Sequence, residues 1–251
     1  MKRRLAYGLV GLGAYLLFLL LQCPAAPLVK FGADHWPEAV RIGTVQGLAR
    51  QGRIESVHWG NFKLAWATWE WHWLALLEGR MEVAFTLGGP DLRITGMVGP
   101  SWGGGWYFRH LRGELPLVDM VAGLGKILPV TGRVEIDDLT MRIAESGSVR
   151  DVQGVLRLAA TRLNLADGLS LGDFMASFAT RDAVISGFVR DQGGPLRVNG
   201  VLTLDPEGRY RFTGSVSLHG DNPILHQTLN WLGAPGPDGV WAIQFSGTLN
   251  V

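Results

Sequence analysis

Residues 196–218 have the sequence LRVNGVLTLDPEGRYRFTGSVSL, which predicts a β hairpin. Apolar and polar side chains alternate before and after the central DPEG, and this two-residue period places the apolar ones on one face of each strand. DPEG predicts the turn, because Pro206 fixes φ at the second turn position and Gly208 tolerates a left-handed backbone. Each strand carries one glycine on its apolar face, Gly200 or Gly214, where a large side chain is expected.

The pattern apolar-x-Gly-x-apolar recurs in six strand-like segments, usually with Thr, Ser or Asn directly before the glycine. The six glycines are Gly96, Gly154, Gly187, Gly200, Gly214 and Gly247. A glycine inside a strand costs roughly 0.5–1 kcal/mol relative to alanine, and it accompanies a bend, a bulge or the close approach of another group. Glycines in the middle of the apolar face favour a sheet that curls around that face. We therefore expect a mainly β fold, in which a strongly curved antiparallel β-sheet forms a trough or groove with a few short helices.

Length and composition limit the class of protein. The 251 residues suffice for one large all-β domain or two small ones, and 35 glycines and 12 prolines fit many strands and turns. The formal charge is +1, of which residues 2–4 supply +3, so the rest of the chain carries −2. This balance argues against nucleic acid as a partner. The lone cysteine, Cys23, excludes an internal disulfide and a cysteine-based metal cluster.

An uncharged, mainly apolar run of 17 residues between Leu5 and Leu21 predicts a membrane anchor. A spanning helix needs about 17–25 residues, and the cations before the run place the N-terminus in the cytoplasm. A cleaved signal peptide is the alternative, but the run is long for one and Pro24 and Pro27 disfavour cleavage. Lipidation of Cys23 is disfavoured by the bulky Gln22 before it.

The anchor sets the predicted organisation of the chain. We expect a cytoplasmic tip over residues 1–4, a transmembrane segment over 5–22, a tether over 23–39 and a periplasmic β-rich domain over 40–251. Within that domain, residues 221–233 give the strongest helix prediction, because Asn222 can cap its start and Gly233 can end it. Residues 117–128 give a weaker one, because two glycines interrupt the segment.

The most aromatic segment is FKLAWATWEWHWLALLEG, residues 62–79. Strand alternation would place Trp69, Trp71 and Trp73 on one face. Such a face could bind a ligand or lie at a membrane interface, where tryptophan is favoured. Alternatively, the rings fill the core of a broad sheet, with the glycines of other strands providing the space. The second interpretation is favoured.

No arrangement of residues predicts catalysis. The six histidines show no spacing typical of strong metal sites, and the acidic group Glu135, Asp137 and Asp138 has no identified base opposite it. The glycines at residues 103–105 lack the Lys-Ser/Thr of a phosphate-binding loop, and no serine lies in a nucleophile elbow. The chain is predicted not to be an enzyme and to hold no cofactor or metal.

The order of these features resembles the type II secretion system protein N family. The similarity covers about 200 of the 251 residues and rests on their order, since no single motif is diagnostic. The matching features are the basic start and single anchor, Val45-x-Gly47, Gly52, Trp69 followed by Ala75-Leu76-Leu77-x-Gly79, Gly208-x-Tyr210, Pro223-x-Leu225, Leu229-x-x-Leu232-Gly233, Gly239 and Gly247-x-Leu249. The tryptophans at positions 66, 71 and 73 depart from the family pattern.

The resemblance implies an inner-membrane protein of a Gram-negative bacterium with its bulk in the periplasm. It implies an accessory role in moving folded proteins across the outer membrane, with other type II secretion subunits as partners and no catalytic residues. The chain is also similar to the β-groove modules of AsmA-like and lipopolysaccharide-bridging proteins. That similarity implies an alternative in which an apolar trough binds acyl chains.

Both hypotheses use the same candidate contact face. Its predicted members are Trp69, Trp71, Trp73, Val198, Gly200, Phe212, Gly214, Phe245 and Gly247. In the accessory-subunit hypothesis, an edge strand can also add a partner's strand through backbone hydrogen bonds. In the lipid hypothesis the glycines leave room for acyl chains, so leucine at Gly200 or Gly214 should block binding and leave the fold largely intact.

Overall fold

The computed structural model describes residues 22–33, 40–59, 62–118, 130–163, 169–220, 222–230 and 233–248, and single positions at 7, 11, 13 and 15. The chain divides into two compact units, Met1–Pro90 and Asp91–Val251. The described residues form fourteen β strands and two α-helices, and the paired strands are antiparallel. The predicted mainly β, antiparallel fold with few helices is confirmed.

The first unit is built on one long strand with partners on both sides. Its elements are α1 (Ala25–Ala33), β1 (Val40–Ile42), β2 (Val45–Leu48), β3 (Gln51–Trp59), β4 (Phe62–Trp71) and β5 (Val83–Gly88). β1 and β2 both pair with β3, β1 near its end and β2 near its start, and β4 pairs along its other side. β5 follows β4 after a 3₁₀ helix, Trp73–Glu78.

The second unit is a meander, in which each strand pairs with the next one in the chain. Its strands are β6 (Arg93–Pro100), β7 (Trp106–Pro116), β8 (Val130–Ile143), β9 (Val149–Leu163), β10 (Leu169–Arg181), β11 (Val184–Asp191), β12 (Leu196–Leu204), β13 (Arg209–Leu218) and β14 (Val240–Thr248). Helix α2 (Pro223–Asn230) lies between β13 and β14 in the chain. Antiparallel neighbours need only short connections, so this order suits the frequent turns of the sequence.

The hairpin predicted over residues 196–218 is confirmed. β12 and β13 pair from Leu204 opposite Tyr210 to Leu196 opposite Leu218. Gly208 donates its N–H to the Asp205 carbonyl at 3.0 Å and has a φ of +81°. The turn therefore closes where the proline and glycine predicted it.

Asp205 holds the turn with its carboxylate. One carboxylate oxygen accepts the backbone N–H groups of Glu207 and Arg209 at 3.1 and 2.9 Å, and the other accepts Arg209 Nε at 2.6 Å. Burial raises the pKa of Asp205, but the hydrogen bonds from the Arg209 side chain and backbone outweigh it, so the pKa lies below its usual value. The charged form of Asp205 is thus favoured in the folded chain.

Helix α2 covers one end of the apolar face of the second unit. The predicted helix is confirmed over Pro223–Asn230, and Asn222 caps it by accepting the Leu225 N–H on Oδ1 at 3.1 Å. Leu225, only 1% exposed, and Leu229 point into the core. The other buried members of this core are Phe174, Leu196, Val216 and Trp241.

Aromatic rings lie over several strand glycines. A Cβ at Gly187 would be 2.7 Å from Cε1 of Phe178, a contact that real Cβ atoms essentially never make. Gly187 and Phe178 stand directly opposite each other in the register. Among the described residues, four such glycine–ring pairs are directly opposite: Gly52–Trp69, Gly88–Trp66, Gly187–Phe178 and Gly247–Tyr210. Each glycine therefore provides the space that a neighbouring ring occupies.

The strong curl predicted from these glycines is wrong, because the sheet is not strongly curled. Close approach of a neighbouring group is another reason for glycine in a strand. The approaching group is an aromatic ring at Gly187, Gly200 and Gly247, and mainly backbone at Gly154 and Gly214. Among the glycines predicted on strands β9–β14, only Gly154 has a positive φ, +137°. The others are thus needed for space rather than for an unusual backbone conformation.

The predicted anchor between Leu5 and Leu21 lies almost entirely outside the described residues. In the part of the chain that is described, no helix is both long and apolar enough to cross a membrane. The anchor and the boundaries at residues 4, 22 and 39 stay predictions. Most of the helix predicted over residues 117–128 also lies outside the described residues.

A valine at Gly187 tests the glycine–ring pairs. Valine suits an extended strand, yet its Cβ would push against Phe178, and we expect Gly187→Val to destabilise the chain by about 1–3 kcal/mol. In a Phe178→Ala background the same substitution should be neutral or stabilising, by up to about 1 kcal/mol. Urea unfolding of the four proteins of this cycle measures the difference. An equal cost in both backgrounds would contradict the ring contact.

The lowered pKa of Asp205 predicts a pH-dependent contribution to stability. A carboxyl group whose pKa is depressed on folding stabilises the fold above its unfolded pKa, about 3.9, and loses this effect as the pH falls through the folded value. Asp205→Asn should therefore lower the melting temperature at about pH 6, and the difference from the natural chain should shrink towards about pH 3. A difference that is the same at both pH values would show that the carboxylate charge contributes nothing.

Candidate functional site

The predicted contact face divides between the two units. Trp69, Trp71 and Trp73 belong to the first unit. The other six members lie on three neighbouring strands of the second unit: Val198, Gly200, Phe212, Gly214, Phe245 and Gly247.

The register brings the six residues of the second unit onto one face. Gly200 pairs with Gly214, and Phe212 pairs with Phe245 on the next strand. Side chains at paired and alternate positions point to the same side of a sheet. Val198 lies two residues before Gly200, and the sequence alternation placed it correctly on this face.

The two ends of this face differ in exposure. Val198 packs against the core cluster that includes helix α2. At the other end Phe245 is 51% exposed, and its ring stacks on Phe212 with centroids 4.9 Å apart and planes 18° from parallel. Tyr210 meets Phe245 edge-on at 6.4 Å. We call Tyr210, Phe212 and Phe245 the aromatic cluster; it is the exposed part of the predicted face.

The two central glycines of the face do not leave an open space. A Cβ at Gly200 would lie 2.5 Å from Cζ of Phe212, because the ring lies over this glycine. A Cβ at Gly214 would lie 2.8 Å from the Asn199 carbonyl oxygen and 2.8 Å from the Gly200 Cα. Leucine at Gly214 would therefore press on backbone, so the expectation that it leaves the fold intact is wrong.

Strand β14 is an edge next to the aromatic cluster. Among the described residues it pairs with β13 alone. An edge strand carries unpaired backbone N–H and C=O groups that a second chain can use. Most residues of β14 are exposed to solvent, including Gln244, Phe245 and Ser246. The sequence predicted the strand but could not identify it as an edge.

The tryptophans of the first unit have different environments. The Trp69 ring lies over Gly52, and its Nε1 donates to the Ala49 carbonyl at 3.0 Å. β4 ends at Trp71, so Trp73 does not continue the strand face but begins the 3₁₀ helix, with 64% of its surface exposed. Trp69 is thus a packing residue, and Trp73 is available for contact.

A buried carboxylate, that of Glu82, lies close to residues on both sides of the 3₁₀ helix that begins at Trp73. Glu82, whose side chain is 4% exposed, has one carboxylate oxygen 3.8 Å from His72 Nδ1 and the other 3.8 Å from Arg80 Nε. The His72 N–H donates to the Glu82 carbonyl at 2.9 Å. A buried carboxylate is retained only where cations or donors compensate its desolvation. The sequence alone does not predict this group, because His72 lies before the 3₁₀ helix and Arg80 and Glu82 lie after it.

The acidic group predicted on β8 forms surface ion pairs. Asp137 lies 3.5 Å from Arg157. Asp138 accepts a hydrogen bond from His110 at 2.8 Å, and this bond and the nearby Arg112 hold the pKa of Asp138 below its usual value despite a smaller opposing effect of burial. In the described part of the chain, no three His, Cys, Asp or Glu residues could hold a metal ion together.

Comparison with known proteins identifies relatives along almost the whole chain. The profile of the family described as type II secretion system (T2SS), protein N, matches residues 38–244. The type II secretion system protein N of Vibrio cholerae is 26% identical over 253 residues, which cover 98% of each chain. The protein of the same name from Aeromonas hydrophila is 24% identical over 99% of this chain and 100% of its own. That from Klebsiella pneumoniae is 26% identical over 90% and 88%. No solved structure gives a significant match.

Truncation of Leu225 tests whether α2 holds the covered end of the face. Removing a side chain buried to this degree should cost about 2–5 kcal/mol. The matched control is Ile224→Ala on the same helix, where the side chain is 57% exposed and the expected cost is below about 0.5 kcal/mol. Urea unfolding measures both. Equal costs for the two variants would show that α2 does not pack as described.

Proposed function

The chain belongs to the type II secretion system protein N family, and we propose that it acts there by binding other subunits through its β strands. It is an accessory subunit of the type II secretion system. The observation that carries the proposed binding role is the edge strand β14, which itself carries the exposed Phe245. The role is one of binding rather than catalysis.

The docking mode combines backbone and side-chain contacts. A partner strand can pair with the open edge of β14, and main-chain hydrogen bonds then supply affinity. The aromatic cluster supplies specificity, since aromatic side chains, phenylalanine among them, are enriched at protein interfaces relative to the rest of the surface. Phe245 lies on β14 itself and stacks on Phe212, so a partner at the edge would meet an already ordered ring.

The proposal places the protein in the envelope of a Gram-negative bacterium. The run between Leu5 and Leu21 would anchor it in the inner membrane, with the N-terminus in the cytoplasm and the β strands in the periplasm. The cations at residues 2–4 support this orientation. In that position the β strands can meet the periplasmic parts of other secretion subunits.

Lipid is the alternative ligand, and it has no support from the comparisons. The rings over the strand glycines also occupy part of the space that acyl chains would need. A lipid-binding groove therefore enters only as an outcome of the test.

In-cell photo-crosslinking tests the proposed function. A probe at Phe245 should form a protein adduct with another secretion subunit, and a probe at Phe212 a weaker one. A probe at Val198 should form none, because that position packs against the core cluster. The control is Trp102, which is 93% exposed in the β6–β7 loop and should also give none. Lipid adducts confined to Phe245 and Phe212 would favour the groove, and no adduct at Phe245 would contradict docking at this edge.

Truncation of Phe245 gives a functional measure of the same contact. Loss of an aromatic contact at an interface costs more than about 1 kcal/mol, so Phe245→Ala should reduce the Phe212 crosslink and secretion several-fold. The matched variant Trp102→Ala removes a more exposed ring and should leave both unchanged. If secretion falls equally in the two variants, the aromatic cluster has no special part in it.

A further inference from the structure

The apolar run predicted as the anchor ends two residues before a backbone contact with the first unit. The run closes at Leu21, and the Cys23 carbonyl accepts the Ala49 N–H at 2.8 Å. The next residue, Pro24, forms an isolated antiparallel bridge with Leu48. Two residues of extended chain span at most about 7 Å. The end of β2 and the turn after it therefore lie close to the end of the anchor.

The strand directions place the β4–β5 connection at the same end of the first unit. β3 starts beside the β2–β3 turn, and β4 runs antiparallel to β3 and returns to this end. The Trp71 N–H donates to the Arg50 carbonyl at 2.8 Å, and Trp71 stands opposite Val83, where β5 begins. The connection between β4 and β5 thus lies where the anchor joins the unit. We call residues 49–50 and 72–82 the anchor end.

The anchor end exposes two large apolar side chains. Trp73 is 64% exposed and Met81 is 49% exposed. A tryptophan ring combines an apolar body with an N–H donor, and it is favoured at the boundary between lipid and water. The headgroup region at this boundary is about 5–7 Å thick on each side of a bilayer. This thickness is similar to the reach of the chain from Leu21 to Cys23, so the anchor end lies at headgroup level when the anchor spans the bilayer.

Backbone hydrogen bonds hold the connection that carries these two side chains. The Ala75 N–H donates to the His72 carbonyl at 3.0 Å, and the Arg80 N–H donates to the Ala75 carbonyl at 2.9 Å. Ala75 itself is only 4% exposed, so it fixes the 3₁₀ helix to the unit. An ordered surface loses less conformational entropy on binding than a segment that must first become ordered.

Charge does not select the occupant of this surface. Arg80 is paired with Glu78, Arg50 is exposed in the turn, and Glu70 is exposed at the end of β4. Side chains of both signs are thus mixed here, and neither an acidic nor a basic partner is favoured. The attachment of the anchor and the exposed tryptophan ring are the features that favour a lipid surface.

We infer that the anchor end rests on the phospholipid bilayer that holds the anchor, with Trp73 and Met81 at the level of the headgroups. This inference rests on the anchor included in the proposed function, and it adds a second membrane contact, made by the folded unit. The contact is with the bilayer surface, so it differs from a groove that takes up acyl chains. A unit attached to the bilayer at two places keeps one orientation, which a single tether would not impose.

In-cell photo-crosslinking of the full chain tests the inference. A photoreactive probe at Met81 should form phospholipid adducts, which mass spectrometry detects. The matched control is a probe at Lys63, which is exposed near the opposite end of β4 and should form none.

Substitution of Trp73 shows whether the ring holds the contact. Trp73→Ala should reduce the lipid adduct at Met81 about threefold or more, because complete burial of a large apolar side chain shifts an equilibrium by about tenfold or more. Trp73→Phe keeps an aromatic ring and should retain most of the adduct. The melting temperatures of these variants should agree with that of the natural chain, since the side chain is mostly exposed.

Alkaline carbonate extraction of cell membranes separates this inference from the anchor itself. Retention of the natural chain in the membrane, with a Met81 lipid adduct that falls in Trp73→Ala, supports the inference. If the chain is retained, the inference is overturned by adducts with protein alone at Met81, by equal lipid adducts at Met81 and Lys63, or by a yield that Trp73→Ala does not change. Release of the chain overturns both the anchor and the inference. Absence of the Phe245 adduct overturns only docking at the β14 edge.

Discussion

The contact between an aromatic ring and a glycine on the neighbouring strand is the constraint on which the described strands depend. Gly187 accommodates Phe178, Gly247 accommodates Tyr210, and the same arrangement occurs in the first unit. The contact works only if the two strands pair in one register, because a shift by one residue would turn the ring to the other face. The ring–glycine contact thus fixes the register of strands whose polar faces alone would specify it weakly.

This constraint also decides which parts of the molecule are available to partners. In the second unit the rings lie over glycines of the apolar face, and helix α2 covers one end of that face. In the second unit, the aromatic cluster around Phe245 and the edge of β14 stay exposed. These features are suited to binding proteins, in agreement with membership of the type II secretion system protein N family.

Elements defined by local residues could be predicted from the sequence. The turn at residues 205–208 and helix α2 each depend on a few adjacent side chains, such as Pro206 and Asn222, whose preferences are strong. The predicted curl failed for a different reason. A glycine on an apolar strand face is compatible with a bend or with a neighbouring ring, and only the register tells which strand residue stands opposite it. Phe178 and Gly187 are close in the chain, but Trp69 and Gly52 are not.

In the candidate site too, features set by adjacent residues could be predicted from the sequence, and features set by strand pairing could not. Alternation correctly placed Val198, Gly200 and Phe212 on one face, but it assigned Trp73 to a strand that ends before it. The edge at β14 could not be found in this way, because alternation within a strand does not show which strands pair with it.

The most direct test of this account is the NMR spectrum of the full chain with labelled glycine. Protons above the face of an aromatic ring experience its ring current, so the α-protons of Gly187, Gly200 and Gly247 should resonate upfield of their random-coil positions. Phe178→Leu should return the Gly187 signal to its ordinary position and leave the Gly247 signal unchanged. Unshifted glycine signals in the natural chain would contradict the account, because the rings would then lie elsewhere and the apolar face would be open.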